Sequence, residues 1–187
     1  MNRLLRTCLR SSAVVQALAL SGCLSSAPPA PPVRWFDPLT PVGEAPARAG
    51  GAYDVHVVAA PYLGREFVVR TAEREVVFDG GNGWIAEPRV LVQTAVEQQL
   101  LPSVRGSGAI AVTIDVLVFE LDVTAAPRAH VRLVVRCGAV LRTIDCGVAA
   151  ADRLPASFAA AMAKALSQAA SQVREVVGAT ATPPVER

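Results

Sequence analysis

The sequence predicts an α/β domain built on a single mixed sheet with two main helices. Short β-branched segments of alternating polarity recur through the middle of the chain and indicate strands. Two longer segments repeat apolar residues every three or four positions and indicate helices. The predicted order is strands, helix, strand, hairpin and helix, with both helices packed on the sheet. They could lie on one face of the sheet or one on each.

Residues 1–22 have the composition of a secretory signal. Arginines at positions 3, 6 and 10 form a basic start, and an apolar run over 13–20 is too short to span a bilayer as a permanent helix. Leu20-Ser21-Gly22-Cys23 reads as a lipobox, in which the chain is cut between Gly22 and Cys23 and lipid is attached to Cys23. Several acyl chains would anchor the protein firmly. Leu24, rather than Asp, follows the cysteine and favours the outer membrane.

The mature chain is expected to have three parts. Residues 23–51 form a Pro-rich tether of extended, semi-rigid character. The aromatic pair Trp35-Phe36 interrupts this tether, either as an edge strand that docks on the domain or as an exposed segment; docking is favoured. Residues 52–178 form the folded domain, and residues 179–187 a disordered tail.

The first strands of the domain come in quick succession. Tyr53–Ala59 alternates in polarity, and the segments 66–71 and 73–78 predict a hairpin around a charged turn. The glycine-rich stretch 79–83 fits neither the Walker nor the dinucleotide pattern. It is interpreted as a loop that lets Trp84 approach the core.

Proline marks the start of both predicted helices. The first helix begins at Pro88, where a missing N–H costs nothing, and ends before Pro102. The second begins at Pro155 and runs to about Val177, with Gly178 as its stop. Each helix carries one apolar stripe, which predicts that each packs on the sheet along one side.

The segment 109–123 is the most diagnostic strand. Strict alternation places the β-branched residues from Ile110 to Val118 on one face, and Leu117, Phe119 and Leu121 on the other. Apolar residues on both faces predict a strand that is covered on both sides.

Three acidic side chains, Asp115, Glu120 and Asp122, accompany that strand. Paired carboxylates would suit acid–base chemistry, but strict alternation points Asp115 away from Glu120. Glu120 and Asp122 lie at the end of the strand. The three are therefore interpreted as solvated side chains.

Cys137 and Cys146 fall in the two strands of a predicted hairpin, 131–137 and 140–146. An oxidising periplasm favours a disulfide between them. A tight turn at Gly138-Ala139 would separate the sulfurs by roughly 20 Å along the ladder, beyond disulfide reach, whereas a wider loop would permit the bond. Two cysteines without a nearby histidine are weak evidence for zinc.

Composition narrows the function classes. The whole chain carries a formal charge of +2, and loss of the three signal arginines leaves the mature part near −1, so no nucleic-acid surface is indicated. His56 and His130 have no nucleophile or acid beside them in a known motif, and no serine elbow, zinc motif or nucleotide fingerprint is present. The sequence therefore predicts a protein that is not an enzyme and has no metal or cofactor.

Several segments together resemble the ABC-type transport auxiliary lipoproteins, the family that contains paraquat-inducible protein C. After the lipobox, tether and Trp35-Phe36 come Tyr62-Leu63-Gly64-Arg65, the stretch 84–88 (Trp-Ile-Ala-Glu-Pro), the strand 112–120 and an Ala-rich last helix. The resemblance covers essentially all of the mature chain, although no single motif is specific. Gly64 departs from the acidic or amide residue usual at its position, and the pair of cysteines is also a departure.

This resemblance implies an accessory lipoprotein of an intermembrane lipid transport system. It implies an outer-membrane anchor at the periplasmic face, an MCE-domain partner and a three-layer α/β/α fold similar to the N-terminal domain of TolB. Tyr62, Leu63 and Trp84 are the candidate docking residues, with core packing of Tyr62 and Trp84 as the alternative. A homo-oligomer would match ring-forming partners, although no residue indicates one.

Two other functions remain open at this stage. The first is an assembly or activator lipoprotein for a cell-wall synthase or an outer-membrane assembly machine. The second is a small lipid carrier, which would need an apolar cavity, whereas the Ala-rich last helix favours close packing.

Overall fold

Seven strands and two helices make up the part of the chain that the computed structural model describes, residues 30–39, 53–100 and 110–181. The strands are β1 (Arg34–Phe36), β2 (Tyr53–Ala59), β3 (Glu66–Ala72), β4 (Glu75–Trp84), β5 (Ile110–Asp122), β6 (Arg128–Cys137) and β7 (Val140–Ala149). The helices are α1 (Pro88–Gln99) and α2 (Pro155–Ala181). The predicted signal, the lipobox and most of the tether and tail lie outside the described residues.

All seven strands join one mixed sheet in the order β1-β4-β3-β5-β6-β7, with β2 also paired to β5. The pairs β1–β4, β2–β5 and β3–β5 are parallel, and the other pairs are antiparallel. Strand β2 flanks the first half of β5 up to Val116, and β3 joins the same edge at Leu121 and Asp122. The 13-residue strand β5 is therefore the centre of the sheet.

Both helices pack on the same face of this sheet, here called the core face. Helix α1 contacts β2 and β5, α2 contacts β6 and β7, and the helices also contact each other. The predicted α/β class with one mixed sheet and two helices is confirmed. The three-layer arrangement implied by the resemblance is wrong for the described residues, since they place no helix on the opposite, open face.

The central strand contains a β-bulge that sequence reasoning missed. Val116 lies opposite Leu133, and Val118 lies opposite Arg132, the next residue back along β6, so Leu117 is the extra residue. An inserted residue reverses the alternation of all side chains beyond it. The strict alternation assumed from the sequence therefore fails at Leu117.

The bulge gives β5 an apolar core face and places its acidic side chains on the open face. The core face carries Val112, Ile114, Val116, Phe119 and Leu121, each opposite a buried residue of β6. The open face carries Asp115, Glu120 and Asp122. The prediction that β5 is covered on both sides was wrong because it rested on unbroken alternation.

Most element boundaries agree with the sequence predictions. Residues 34–36 dock on the edge of β4 as expected, and Tyr53–Ala59 is a strand with the predicted bounds. The glycine-rich stretch 79–83 is not a loop, because β4 continues through it to Trp84 with an irregular register. Helix α2 passes Gly178 and ends at Ala181, so the predicted stop was wrong. Of the described helices, none combines the length and apolar character that a bilayer crossing needs.

The two cysteines of the β6–β7 hairpin are both free and buried. Gly138, with φ of 58°, forms the tight turn, which places Cys137 opposite Val140 and Cys146 opposite Val131. The thiols therefore lie far apart along the ladder, as the tight-turn alternative required, and the structure has no disulfide between them.

Candidate protein-docking face

A row of ion pairs crosses the open face of the sheet. It consists of Arg70 on β3, Glu120 on β5, His130 and Arg132 on β6, and Asp145 on β7. The register of β5 against β6 places Glu120 opposite His130, and β6 against β7 places Arg132 opposite Asp145. Cross-strand neighbours of opposite charge stabilise a sheet, so this ion-pair row is fixed by the strand pairing itself.

Glu120 is the most buried member of the ion-pair row, with 1% of its surface exposed. Arg70 donates two parallel hydrogen bonds to it, from Nε to Oε1 and from Nη2 to Oε2, the second at 2.9 Å. Burial on its own would raise the pKa of Glu120, but His130 and Arg70 outweigh it and hold the pKa below its usual range. Glu120 is therefore a fixed carboxylate.

His130 links the two halves of the row. Its Nε2 lies 2.7 Å from Asp145 Oδ1, and its Nδ1 lies 3.8 Å from Glu120 Oε1, a charge contact rather than a hydrogen bond. Glu120 and Asp145 together raise the pKa of His130 despite its partial burial. Arg132 completes the row with Nε 2.8 Å from Asp145 Oδ2. The row favours a protonated histidine between two carboxylates.

A second ion pair lies beside the row at the end of β5. Arg128 donates from Nε at 2.9 Å and from Nη2 at 2.7 Å to Asp122 Oδ2, and the backbone and hydroxyl of Thr124 donate to Oδ1. Burial on its own would raise the pKa of Asp122, but these bonds outweigh it and lower the pKa to about 2. Asp122 and Glu120 were interpreted from the sequence as solvated, and that interpretation was wrong, because both are buried and paired.

Exposed apolar side chains lie near the Arg70–Glu120 end of the ion-pair row, toward β2 and β4. They are Val58 on β2, Tyr62 in the turn after β2, Phe78 on β4 and Leu117 in the bulge. Val58 lies opposite Asp115 and Phe78 opposite Val68, which are both open-face positions. The Tyr62 hydroxyl donates to the Leu117 carbonyl at 2.9 Å, which ties the turn to the bulge. Phe78 is 51% exposed and Tyr62 38%, so these side chains, here called the apolar patch, are available to a partner.

Of the three docking residues predicted from the sequence, Tyr62 alone reaches the surface. Trp84 is 1% exposed and lies at the centre of an aromatic cluster, with ring centroids 4.1 Å from Phe67 and 5.4 Å from Phe119. Leu63 is also buried in the core. Leu63 and Trp84 therefore pack in the core and do not form a docking surface. For Trp84 this is the core-packing alternative.

The open face combines paired charges with exposed apolar side chains. Glu120, Asp122 and Asp145 are each paired with an arginine, and within the described residues no three His, Cys, Asp or Glu side chains gather as a metal site would need. Phe78, Leu117 and the row were missed by sequence reasoning because the bulge decides which side chains share a face. One signal in the sequence could have indicated the ion pairs: two acidic residues end an apolar strand, and the strands predicted beside it contain arginine.

Comparisons with known proteins support the fold. The domain is similar to the crystal structure of a protein from Xanthomonas campestris assigned to the family DUF330, with a TM-score of 0.63, 20% identity, and coverage of 79% of this chain and 98% of that one. It is also similar to the crystal structure of an uncharacterized protein, with a TM-score of 0.56, 14% identity, and coverage of 78% and 99%. No protein-family model and no curated protein matches the sequence.

Proposed function

We propose that this protein is a periplasmic lipoprotein, anchored to the outer membrane through Cys23, that serves as a non-enzymatic adaptor of an ABC/MCE-type lipid transport system. The lipobox and the segment order described above support the anchor and the transport system. The open face of the sheet supports the adaptor role. In this proposal the open face binds an MCE-domain protein.

The observation that carries the adaptor role is the combination of exposed apolar side chains and fixed ion pairs on one side of the sheet. A sheet face that contacts only water carries mainly polar side chains. This face instead exposes apolar side chains, namely Phe78, Tyr62, Val58 and Leu117. Aromatic residues and arginine are enriched at protein interfaces. Together they provide apolar contact area and an ordered set of charges.

The ion-pair row would contribute more to the orientation of the partner than to its affinity. Arg70, Glu120 and His130 are already paired within the domain, so a partner gains little by pairing with them. Arg132 and Asp145, at the exposed end of the row, remain accessible on one side. Charged groups at the rim of an apolar patch select partners and set their register.

Crosslinking in intact cells tests the proposal. The wild-type protein is expected to yield an MCE-domain protein, and Cys23→Ser, which removes the acylated thiol, is expected to fold but leave the membrane fraction. A membrane-bound Cys23→Ser protein would contradict the anchor. Capture of a penicillin-binding protein instead of an MCE-domain protein would contradict the transport role and support the assembly alternative.

A further inference from the structure

The β1 end of the sheet exposes a tryptophan that is held in place from two sides. Trp35 is 50% exposed and lies opposite Gly83. A Cβ at Gly83 would come within 2.5 Å of the indole ring, so the ring packs directly on the glycine backbone. On the other side, the Arg65 guanidinium lies 4.3 Å from the ring centroid in a cation–π contact.

Arg65 is itself fixed beside Trp35. Its Nε donates to the Trp84 carbonyl at 3.3 Å and its Nη2 to the Ile85 carbonyl at 2.9 Å. These described bonds use two of the five guanidinium N–H groups. Ile85 is 45% exposed, and Val33, two residues before Trp35, is 41% exposed. The four side chains, Val33, Trp35, Arg65 and Ile85, are here called the β1-end surface.

Phe36, the residue after Trp35, attaches β1 to the core. Phe36 faces the core, where its ring centroid lies 5.3 Å from that of Phe67, and its carbonyl accepts a 3.0 Å bond from the Ile85 N–H. Trp35 faces the opposite way and leaves half of its surface in water. Burial of that apolar surface elsewhere would be favourable.

The β1-end surface lies close in the chain to the proposed lipid anchor. Val33 is ten residues from Cys23. Ten residues span at most about 33–36 Å, and about 31 Å in a polyproline conformation. A lipid on Cys23 therefore keeps this end of the sheet within reach of the bilayer surface.

We infer that the β1-end surface rests on the headgroup region of the bilayer that holds Cys23, an inference that depends on the proposed anchor. Tryptophan is enriched at the membrane–water interface, and aliphatic side chains insert beside it. The remaining Arg65 N–H groups face lipid phosphates, for which a guanidinium is well shaped. Contact at this end sets the orientation of the domain: it places the β1 edge of the open face, where Trp35 lies, on the bilayer and leaves the ion-pair row and the apolar patch for the partner.

Fluorescence quenching by brominated phospholipid tests this contact. The mature polypeptide, residues 23–187, retains every described strand and helix and is coupled through the Cys23 thiol to a maleimide phospholipid in vesicles. Cys137 and Cys146 are buried, so Cys23 is the thiol that reacts. This chemical anchor makes the result independent of acylation in the cell.

Trp35 is expected to be quenched, and in Trp35→Phe the remaining Trp84 is expected to show little quenching, since it is buried. The matched control combines Trp35→Phe with Phe78→Trp, because Phe78 has nearly the same exposure, 51%, at a different place on β4. We expect quenching of Trp35 to exceed that of the control about threefold or more.

Equal quenching of the two positions, or none at Trp35, would overturn the inference. Neither result would bear on the anchor, which the Cys23→Ser localisation experiment tests separately. Circular dichroism of each variant shows whether the substituted domain has kept its fold.

Discussion

Among single residues, Glu120 is the most buried charged side chain of the described sheet. It is almost fully buried, accepts two hydrogen bonds from Arg70 and lies next to His130. Removal of one partner from a buried pair leaves the other charge uncompensated. The cost is moderated here because the Arg70 side chain is 25% exposed.

Replacement Glu120→Gln is therefore expected to lower the free energy of unfolding by about 2–3 kcal/mol. The matched control is Glu75→Gln at the exposed start of β4, which should change it by less than about 0.5 kcal/mol. Urea unfolding followed by circular dichroism measures both. Equal effects of the two substitutions would show that the Glu120 pairs contribute nothing.

His130 makes the stability depend on pH in a defined direction. Its pKa is raised in the folded protein, first by Glu120 and then by Asp145, above the value of about 6.5 expected in an unfolded chain. The protonated ring therefore stabilises the fold fully below about pH 6.5, and this contribution disappears as the pH rises through the folded pKa. His130→Gln should cost more stability at about pH 5.5 than at about pH 9. A cost that is constant with pH would contradict the proposed contacts.

The residues of this row show where sequence reasoning stops. The core positions of β5 before the bulge follow from alternation, whereas Trp84, a predicted docking residue, lies in the core, as the alternative for it proposed. Glu120 and Asp122 were placed in solvent, since nothing in an apolar run from Val116 to Phe119 marks Leu117 as the extra residue. The bulge becomes visible only when β6 supplies the opposing register.

Among the elements, β1 depends on a glycine in the neighbouring strand. A Cβ at position 83 would meet the Trp35 ring at 2.5 Å and the Arg65 carbonyl oxygen at 2.8 Å, and the second of these is backbone that cannot rotate away. The substitution must therefore displace β1 from the edge of β4. The register of β4 is also irregular just before Gly83, where the Gly81 N–H donates to the Asp79 side chain.

Gly83→Ala is expected to destabilise the domain by about 1–3 kcal/mol and to expose residues 33–39 to protease. Gly80→Ala, with open space around its Cβ position, is the matched control and should leave both properties unchanged. Limited proteolysis with mass analysis of the fragments distinguishes release of β1 from general unfolding. Resistance of Gly83→Ala to cleavage in this segment would contradict the close packing.

The helices and the β6–β7 hairpin were the elements predicted best. Proline at the first helical position and a regular apolar stripe marked both helices, and a tight turn with Gly138 at positive φ set the hairpin register. Helix α2 passes Gly178 because a glycine lowers helix propensity without forbidding the conformation. The face on which each helix packs could not be predicted, since it depends on which side of the sheet the bulge leaves apolar.

At the scale of the molecule, the two layers formed by the described residues, one sheet and one pair of helices, have most consequence for the proposed function. Helices cover the core face, and the open face presents the apolar patch and the ion-pair row. The β1 end, ten residues from Cys23, is proposed to rest on the bilayer. In this account the anchor, the edge and the open face have three separate tasks: attachment, orientation and partner binding.

A photo-crosslinking amino acid placed at Phe78 in living cells tests directly whether the open face binds the partner. Gln168 is the control, because it is exposed on α2 in the helix layer. We expect position 78 to crosslink to an MCE-domain protein and position 168 not to. Crosslinking of that protein at position 168 but not at position 78 would contradict it.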